Sequence, residues 1–230
     1  MPSRPTIASA RRAAGHVFSG PRGYALFSRR RLEADWPGFV DSLADAQQEL
    51  SSAYESYVQD VSAKQHAMSL ELAAFLLELC RRVDADSVID LGSGFSSYVL
   101  RRYASERPGT TVRSVDSSPE WLERSRRFVS DHGLAADDFI QWSEFDPQDE
   151  IDSYDVVLHD LGDMTLRSAT LPQALVLARR GAYVVLDDVH KPGYRAYARQ
   201  LVSASSAWSI DIRAVTRDSI GRYSLLIRRY

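Results

Sequence analysis

The sequence predicts an α/β fold: a doubly wound sheet of seven strands, mostly parallel with an antiparallel terminal strand, and helices on both faces. Two observations support this fold class. Apolar, strand-like segments alternate with amphipathic helical segments from residue 87 onwards. Four of the strand-like segments also end on aspartates, at Asp90, Asp116, Asp160 and Asp187. Because parallel strands end at one edge of a sheet, where ligand sites form, the pattern predicts a site built from carboxylates.

Two helices precede the sheet in this prediction, an amphipathic one from Asp41 to Val61 and a second from about Ser69 to Val83. Strands are predicted at 87–91, 111–116, 139–143, 154–159, 181–187, 208–215 and 222–228. Intervening helices are predicted at roughly 96–103, 119–132, 166–178 and 194–204. The stretch 146–150 is too short and polar for a full helix. Because the last two strands are joined only by residues 216–221, they must be antiparallel neighbours.

Bulk composition describes a globular chain without a strong electrostatic bias. Of its 230 residues 44% are hydrophobic, which is enough to fill a core, and 28 basic against 31 acidic residues give a net charge of -3. This charge gives no case for nucleic-acid or membrane binding. The single cysteine, Cys80, excludes an internal disulfide and is predicted to be packed in a helix. No apolar stretch approaches the ~20 residues of a spanning helix, and no signal-peptide core follows Met1, so a cytoplasmic location is expected.

Charge is uneven only at the amino terminus. No acidic residue precedes Glu33, whereas seven arginines do, at positions 4, 11, 12, 22, 29, 30 and 31. Four interpretations stay open: a partly disordered arm, a lid over an acidic or phosphorylated substrate, a dimerisation arm that would make the protein a homodimer, and a transit peptide. We therefore divide the chain into residues 1–60, a basic arm with a helical extension, and residues 61–230, the main domain.

The first strand runs into a glycine turn, Asp90-Leu91-Gly92-Ser93-Gly94. Glycines let a ligand approach the backbone, and the helix that follows offers free N–H groups. The third glycine of the dinucleotide fingerprint is replaced by Ser97. Asp90 suits a cationic ligand, such as the ammonium and sulfonium of S-adenosylmethionine, better than a pyrophosphate. Asp116, at the next strand tip, can accept hydrogen bonds from two ribose hydroxyls.

This turn, together with Val115-Asp116-Ser117-Ser118-Pro119-Glu120-Trp121, resembles the first two motifs of class I S-adenosylmethionine-dependent methyltransferases. The resemblance covers about residues 60 to 230. It implies a Rossmann-like fold, a methyltransferase (EC 2.1.1) and S-adenosylmethionine as cofactor. The cofactor-binding residues it implies are Asp90, Gly92, Ser93, Gly94, Asp116, Ser117, Ser143, Glu144 and Asp160, with Ser143 and Glu144 at the adenine.

Within that superfamily the chain looks most like the metal-dependent catechol O-methyltransferase branch. Four places carry the likeness: residues 62–68, 143–144, 159–160 and 187–193. The resemblance implies a divalent metal held by Asp160, Asp187 and Asp188. The chemistry supports it independently, since three converging carboxylates repel one another unless a cation neutralises them. Oxygen ligands suit Mg²⁺ best, with Mn²⁺ or Ca²⁺ as replacements.

The sequence departs from that branch at the general base. The branch places a lysine three residues after the acid of the fourth strand, where this chain has Asp163. The nearest residues of suitable type are His190 and Lys191, and we predict His190 as the base. His159 precedes Asp160 on the same strand, so it is predicted to lie in the core on the opposite face.

These observations favour a metal-dependent O-methyltransferase that acts on a hydroxyl of a small molecule with neighbouring oxygens. Three alternatives stay open. The first is a metal-independent small-molecule N- or O-methyltransferase. The second is an NAD(P)-binding oxidoreductase, and the third is an inactive methyltransferase fold used as an interaction module.

Overall fold

The computed structural model describes residues 21–230, so residues 1–20 of the predicted basic arm lie outside the described residues. Its helices are α1 (Pro21–Asp35), α2 (Phe39–Asp60), α3 (Leu70–Val83), α4 (Phe95–Glu106), α5 (Pro119–Asp131), α6 (Met164–Leu177), α7 (Pro192–Ala204) and the short α8 (Arg213–Thr216). Its strands are β1 (Ser87–Leu91), β2 (Thr111–Asp116), β3 (Phe139–Gln141), β4 (Tyr154–His159), β5 (Ala178–Leu186), β6 (Ala207–Asp211) and β7 (Leu225–Arg229).

The strands form one seven-stranded sheet in the order β3-β2-β1-β4-β5-β7-β6. Strands β1 to β5 pair in parallel, whereas β7 is antiparallel to both β5 and β6. The predicted fold class and the predicted antiparallel final pair are therefore confirmed. Strand order reverses between β1 and β4, and the crevice at such a switch point is where open α/β sheets bind ligands.

The connection between β3 and β4 matches the sequence prediction, whereas the last two strands are shorter than predicted. No α-helix separates β3 from β4, only the 3-10 turn Trp142–Glu144, which confirms the prediction for this connection. Strand β6 ends at Asp211, four residues early, because the chain turns into α8. Strand β7 accordingly begins at Leu225 rather than at residue 222.

Alternating side chains on the strands build two cores, one on each face of the sheet. Val88 of β1 packs with helices α1 to α5, whereas Ile89 packs with α6 and α7 on the opposite face. Cys80 is fully buried in the first core, as predicted. Helices therefore cover both faces, which leaves the carboxyl ends of the strands as the open edge.

Helix α2 belongs to this first core rather than projecting from it. Its buried residues include Phe39, Leu43, Leu50 and Tyr57, which pack with residues of α3 and α4. The division of the chain at residue 60 stays a prediction, but α2 contributes directly to the packing of the sheet domain. Among residues 21–230, no helix is long and apolar enough to cross a membrane.

Candidate functional site

A cavity of about 590 Å³ opens at the carboxyl ends of β1, β2, β4 and β5. Its size lies in the roughly 300–1,000 Å³ range of small-molecule sites. The lining residues come from α2, the segment before α3, the loops after these strands and the loop before β7. They are Tyr57, 65–68, 92–96, 116–118, Trp121, Asp160, Gly162, Arg167, Asp187, Asp188, Lys191 and Arg222.

The glycine turn after β1 is pressed against the loop after β4. Gly92 has φ +110°, and a Cβ there would lie 2.5 Å from the carbonyl oxygen of Asp160. The Gly92 N–H donates to Val115 at 2.8 Å, and the Asp160 N–H donates to Leu91 at 2.7 Å. Only glycine is tolerated at such a position, so the turn is fixed by the backbones of three adjacent strands.

Asp116 lies on the cavity wall, as the ribose prediction requires. Its Oδ2 accepts from the Ser93 N–H at 2.8 Å and from the Ser93 hydroxyl at 3.1 Å, and its Oδ1 accepts from the Ser118 N–H at 2.8 Å. Burial raises the pKa of Asp116 above its usual value. A carboxylate offers about four acceptor positions, and three are used here, so Asp116 can still accept from one hydroxyl group.

Asp90 lies beneath the glycine turn and does not line the cavity. Its Oδ2 accepts from the hydroxyls of Ser96 at 3.0 Å and Ser97 at 2.6 Å, while the buried Oδ1 has no partner in the structure. Burial raises the pKa of Asp90 to about 7. In this geometry Asp90 therefore does not make the predicted direct contact with a cofactor. Asp90 supports the turn from below.

Asp160 and Asp188 converge on a cation, and that cation is the guanidinium of Arg167. The Arg167 Nη1 lies 2.5 Å from Asp160 Oδ1 and 3.0 Å from Asp188 Oδ2. Burial acts to raise the pKa of Asp188, but Lys191, Arg167 and His190 together hold it below its usual value. Burial raises the pKa of Asp160 well above its usual range, although Arg167 opposes the shift.

Asp187, the third predicted metal ligand, is engaged elsewhere. Its Oδ1 accepts from the Ser224 hydroxyl at 3.0 Å and from the Asp188 N–H at 2.7 Å. Within the described residues no three His, Cys, Asp or Glu side chains are arranged as metal ligands. The predicted set of Asp160, Asp187 and Asp188 therefore does not fit a divalent metal, because Arg167 takes the place between two of its members.

The two predicted catalytic residues have different positions. Lys191 lines the cavity, and its Nζ donates to Asp188 Oδ2 at 2.8 Å. His190 is not among the cavity-lining residues; its Nδ1 lies 3.3 Å from Asp188 Oδ1 and its ring faces Tyr223. Asp163 caps α6 by accepting from the N–H groups of Thr165 and Leu166, so it is a turn residue.

The predicted adenine contacts also lie away from the cavity. Ser143 and Glu144 belong to the exposed 3-10 turn after β3 and do not line the cavity. Strand β3 ends at Gln141, two residues earlier than predicted, and the turn leaves both side chains in solvent. Trp121 of α5, Tyr57 and Phe95 are aromatic residues that do line the cavity.

His159 is a buried core residue, as predicted. Its Nε2 lies 2.9 Å from the Thr170 hydroxyl and its Nδ1 lies 3.1 Å from the Tyr194 hydroxyl. Because Thr170 donates its only proton to Leu166, we assign the proton of His159 to Nε2. Burial, aided by the Arg167 cation, lowers the pKa of His159 to about 3, so the ring is neutral.

The cavity-lining residues to which sequence reasoning gave no role include Tyr57, His66, Arg167 and Arg222. Tyr57 carries no motif, and His66 lies in the segment 62–68 that carries the family likeness without a role of its own. Arg167 had a weak signal, since a cation near the first turn of a helix opposes the helix dipole and so needs a carboxylate partner. Arg222 lies in the loop before β7, far in sequence from the rest of the site.

No protein-family model and no curated protein matches the sequence. Solved structures do match the fold. The O-methyltransferase TomG from Streptomyces achromogenes, involved in tomaymycin synthesis and in complex with SAM, has a TM-score of 0.60 and 19% identity, covering 77% of this chain and 87% of that chain. Cofactor-bound Rv0187 from MTB has a TM-score of 0.57 and 21% identity, covering 88% of this chain and 96% of that chain.

An O-methyltransferase from Bacillus cereus in complex with SAH is also similar. Its TM-score is 0.55 and its identity is 17%, with 86% of this chain and 94% of that chain covered. At these identities the likeness establishes the fold. The chain therefore shares the fold of these three proteins.

Proposed function

We propose that this chain, whose fold is shared with S-adenosylmethionine-dependent O-methyltransferases, transfers a methyl group from S-adenosylmethionine to a hydroxyl of a small molecule. The observation that carries the proposal is the cavity at the switch point, whose wall holds both the glycine turn and Asp116. The cofactors named for the similar structures agree with this choice.

The cofactor half of the cavity fits a nucleoside bearing a positive charge. Gly92 lets the turn pack against the backbone of Asp160, where a Cβ would clash, and Asp116 keeps about one acceptor position for a ribose hydroxyl. Trp121 offers an aromatic surface on the same wall. When bound, S-adenosylmethionine supplies a methyl group on a positively charged sulfur, so transfer forms an oxygen–carbon bond and leaves the electron pair of the broken carbon–sulfur bond on sulfur.

The acceptor half lies where Asp160, Asp188 and Lys191 line the cavity. The acceptor hydroxyl must lose a proton as the oxygen–carbon bond forms. Lys191 lines the cavity, and as an ammonium it stabilises a developing oxyanion there. Because an ammonium cannot take up the proton, we assign that role to the imidazole of His66, a cavity-lining residue on the segment before α3.

Cofactor binding is tested by calorimetry with S-adenosylhomocysteine, S-adenosylmethionine and NAD. We expect stoichiometric binding of the first two and none of NAD. Asp116→Asn removes charge-assisted hydrogen bonds worth about 1.5–3 kcal/mol, so it should raise the Kd for S-adenosylhomocysteine by about tenfold to a hundredfold. Asp131→Asn, an exposed acid at the end of α5, is the matched control and should leave the Kd unchanged.

Binding of NAD in preference to both sulfur cofactors would instead identify an oxidoreductase. Binding of S-adenosylmethionine without methyl transfer to any hydroxylated acceptor in a chemically diverse panel would favour the interaction module. Of the enzyme alternatives, the metal-independent methyltransferase is favoured by the position of Arg167 between Asp160 and Asp188.

A further inference from the structure

We propose that the guanidinium of Arg167 is the resident cation of the carboxylate cluster, so that this site works without a divalent metal. The carboxylate cluster belongs to the acceptor half of the site. Only its role in methyl transfer rests on the proposed function; the absence of metal binding does not. The exclusion of the metal follows from the geometry of this chain's own side chains.

Arg167 is almost fully enclosed, with 7% of its side chain exposed. Its Nη1 contacts Asp160 and Asp188, as described above. Its Nη2 donates to the carbonyl oxygens of Asp160 at 2.8 Å and Gly162 at 3.0 Å. Both terminal nitrogens of the guanidinium are therefore committed, and the group joins the loop after β4 to the loop after β5.

The chain's own cations already contact the carboxyl groups of the cluster. Arg167 contacts both Asp160 and Asp188, and the Lys191 ammonium lies 2.8 Å from Asp188. A divalent ion bound between the two carboxylates would face a guanidinium that cannot lose its proton. Metal entry would require Arg167 to leave a buried position and give up contacts with two carboxylates and two carbonyls.

Arg167 is therefore a positioning residue. Since its terminal nitrogens are all engaged with the protein, it holds the carboxylates and loop backbones in place rather than touching the acceptor. The substrate class is broader as a result, because an acceptor that is not chelated by a metal needs one reactive hydroxyl and no neighbouring oxygen.

The test measures Mn²⁺ binding by electron paramagnetic resonance on the full chain and three variants. The wild-type protein should bind no Mn²⁺ at the cluster. Arg167→Met keeps an unbranched apolar side chain but removes the charged guanidinium, so the uncompensated carboxylates should gain one Mn²⁺ site that the wild type lacks, with an affinity about tenfold or more above any residual binding of Mn²⁺ to the wild-type protein. Arg167→Lys retains a cation and should gain none.

The double variant Arg167→Met with Asp188→Asn removes one carboxylate and should lose the gained site. Stoichiometric Mn²⁺ binding to the wild-type protein would overturn the proposal, and this arm does not depend on whether Arg167→Met folds. A folded Arg167→Met protein, verified by circular dichroism, that gains no Mn²⁺ site would also overturn it. Calorimetry with S-adenosylhomocysteine on the same samples reports separately on the cofactor half, so failure of the proposed function is distinguishable.

Discussion

Single residues shape this site through the space they leave as well as through the contacts they make. Gly92 lets the turn after β1 touch the backbone of Asp160, which no side chain at this position would allow. Asp188 has a left-handed backbone at φ +59°, a conformation that costs a non-glycine residue roughly 1–2 kcal/mol. Its ion pairs with Arg167 and Lys191 offset that cost and fix the direction of the carboxylate.

Gly92→Ala should destabilise the protein strongly. The added Cβ would lie 2.5 Å from the Asp160 carbonyl oxygen, so β1 and β4 would have to separate at the cavity. We expect the free energy of unfolding, measured by urea unfolding, to fall by about 3 kcal/mol, which is the upper end of the usual range for point substitutions. Gly109→Ala is the matched control, because Gly109 also has a positive φ, +97°, but nothing within 4 Å of its Cβ.

Gly109→Ala should therefore report backbone strain alone, about 1 kcal/mol. Equal losses in the two variants would show that the contact between Gly92 and Asp160 is unimportant.

At the scale of elements, the segment between α2 and α3 forms one wall of the cavity and is held by a residue from the far end of the chain. Arg222 donates from Nη1 to the carbonyl oxygens of Gln65 at 3.1 Å and Ala67 at 2.8 Å, and from Nη2 to that of Lys64 at 3.3 Å. Its Nε donates to Asp218 at 2.7 Å. The loop before β7 thus fixes a wall that local sequence would leave loose.

Arg222→Ala should loosen this wall without unfolding the sheet. Loss of three backbone-directed hydrogen bonds, each contributing about 0.5–1.5 kcal/mol, should raise amide hydrogen exchange in residues 62–68 by about tenfold or more. Exchange in β1 should be unchanged. Asp218→Asn keeps the guanidinium and its bonds to the segment, so it serves as the control and should leave exchange in 62–68 near the wild-type rate.

If Asp218→Asn accelerates exchange as much as Arg222→Ala does, the ion pair rather than the carbonyl contacts holds the wall.

At the scale of the whole molecule, an interior strand of the sheet holds a buried carboxyl group. Asp90 of β1 lies between the sheet and α4, where its only partners are hydroxyl groups. The Arg101 guanidinium favours the ionised form but does not offset burial, which raises the pKa of Asp90 to about 7. Since the unfolded chain holds this group near its ordinary pKa of about 3.9, folding and proton uptake are linked.

This linkage predicts the pH dependence of stability. A raised pKa in the folded state contributes stability that is complete below about pH 4 and is lost as pH rises through about 7. Asp90→Asn cannot titrate, so its unfolding free energy relative to wild type should rise between pH 4 and 7, by up to about 4 kcal/mol, and then level off.

Guanidinium unfolding at a series of pH values measures this difference. Asp131→Asn, exposed at the end of α5, should follow the wild-type curve throughout. A constant difference between Asp90→Asn and wild type across this range would mean that Asp90 has the same pKa in the folded and unfolded chain.

Much of the fold could be predicted from local sequence patterns. Strands β1, β2 and β4 have the predicted bounds, and α5 differs from its prediction by one residue. These segments carry their structure in the alternation of apolar residues and in caps such as Ser118, which depend only on neighbours in sequence. The place of Asp116 and the glycine turn at the cavity follows from the same local pattern, because strand ends in a parallel sheet share one edge.

The partners of the buried side chains could not be predicted from local sequence patterns. The sequence alone determined that aspartates meet at the carboxyl edge of a doubly wound sheet, since that depends on strand pattern and connection length. Only the tertiary structure decided that Arg167 lies between Asp160 and Asp188, that Asp90 faces inwards, and that Ser143 and Glu144 face solvent. Those outcomes depend on how α4 and α6 pack on the sheet and where β3 ends, which bring together or separate residues that no local spacing relates.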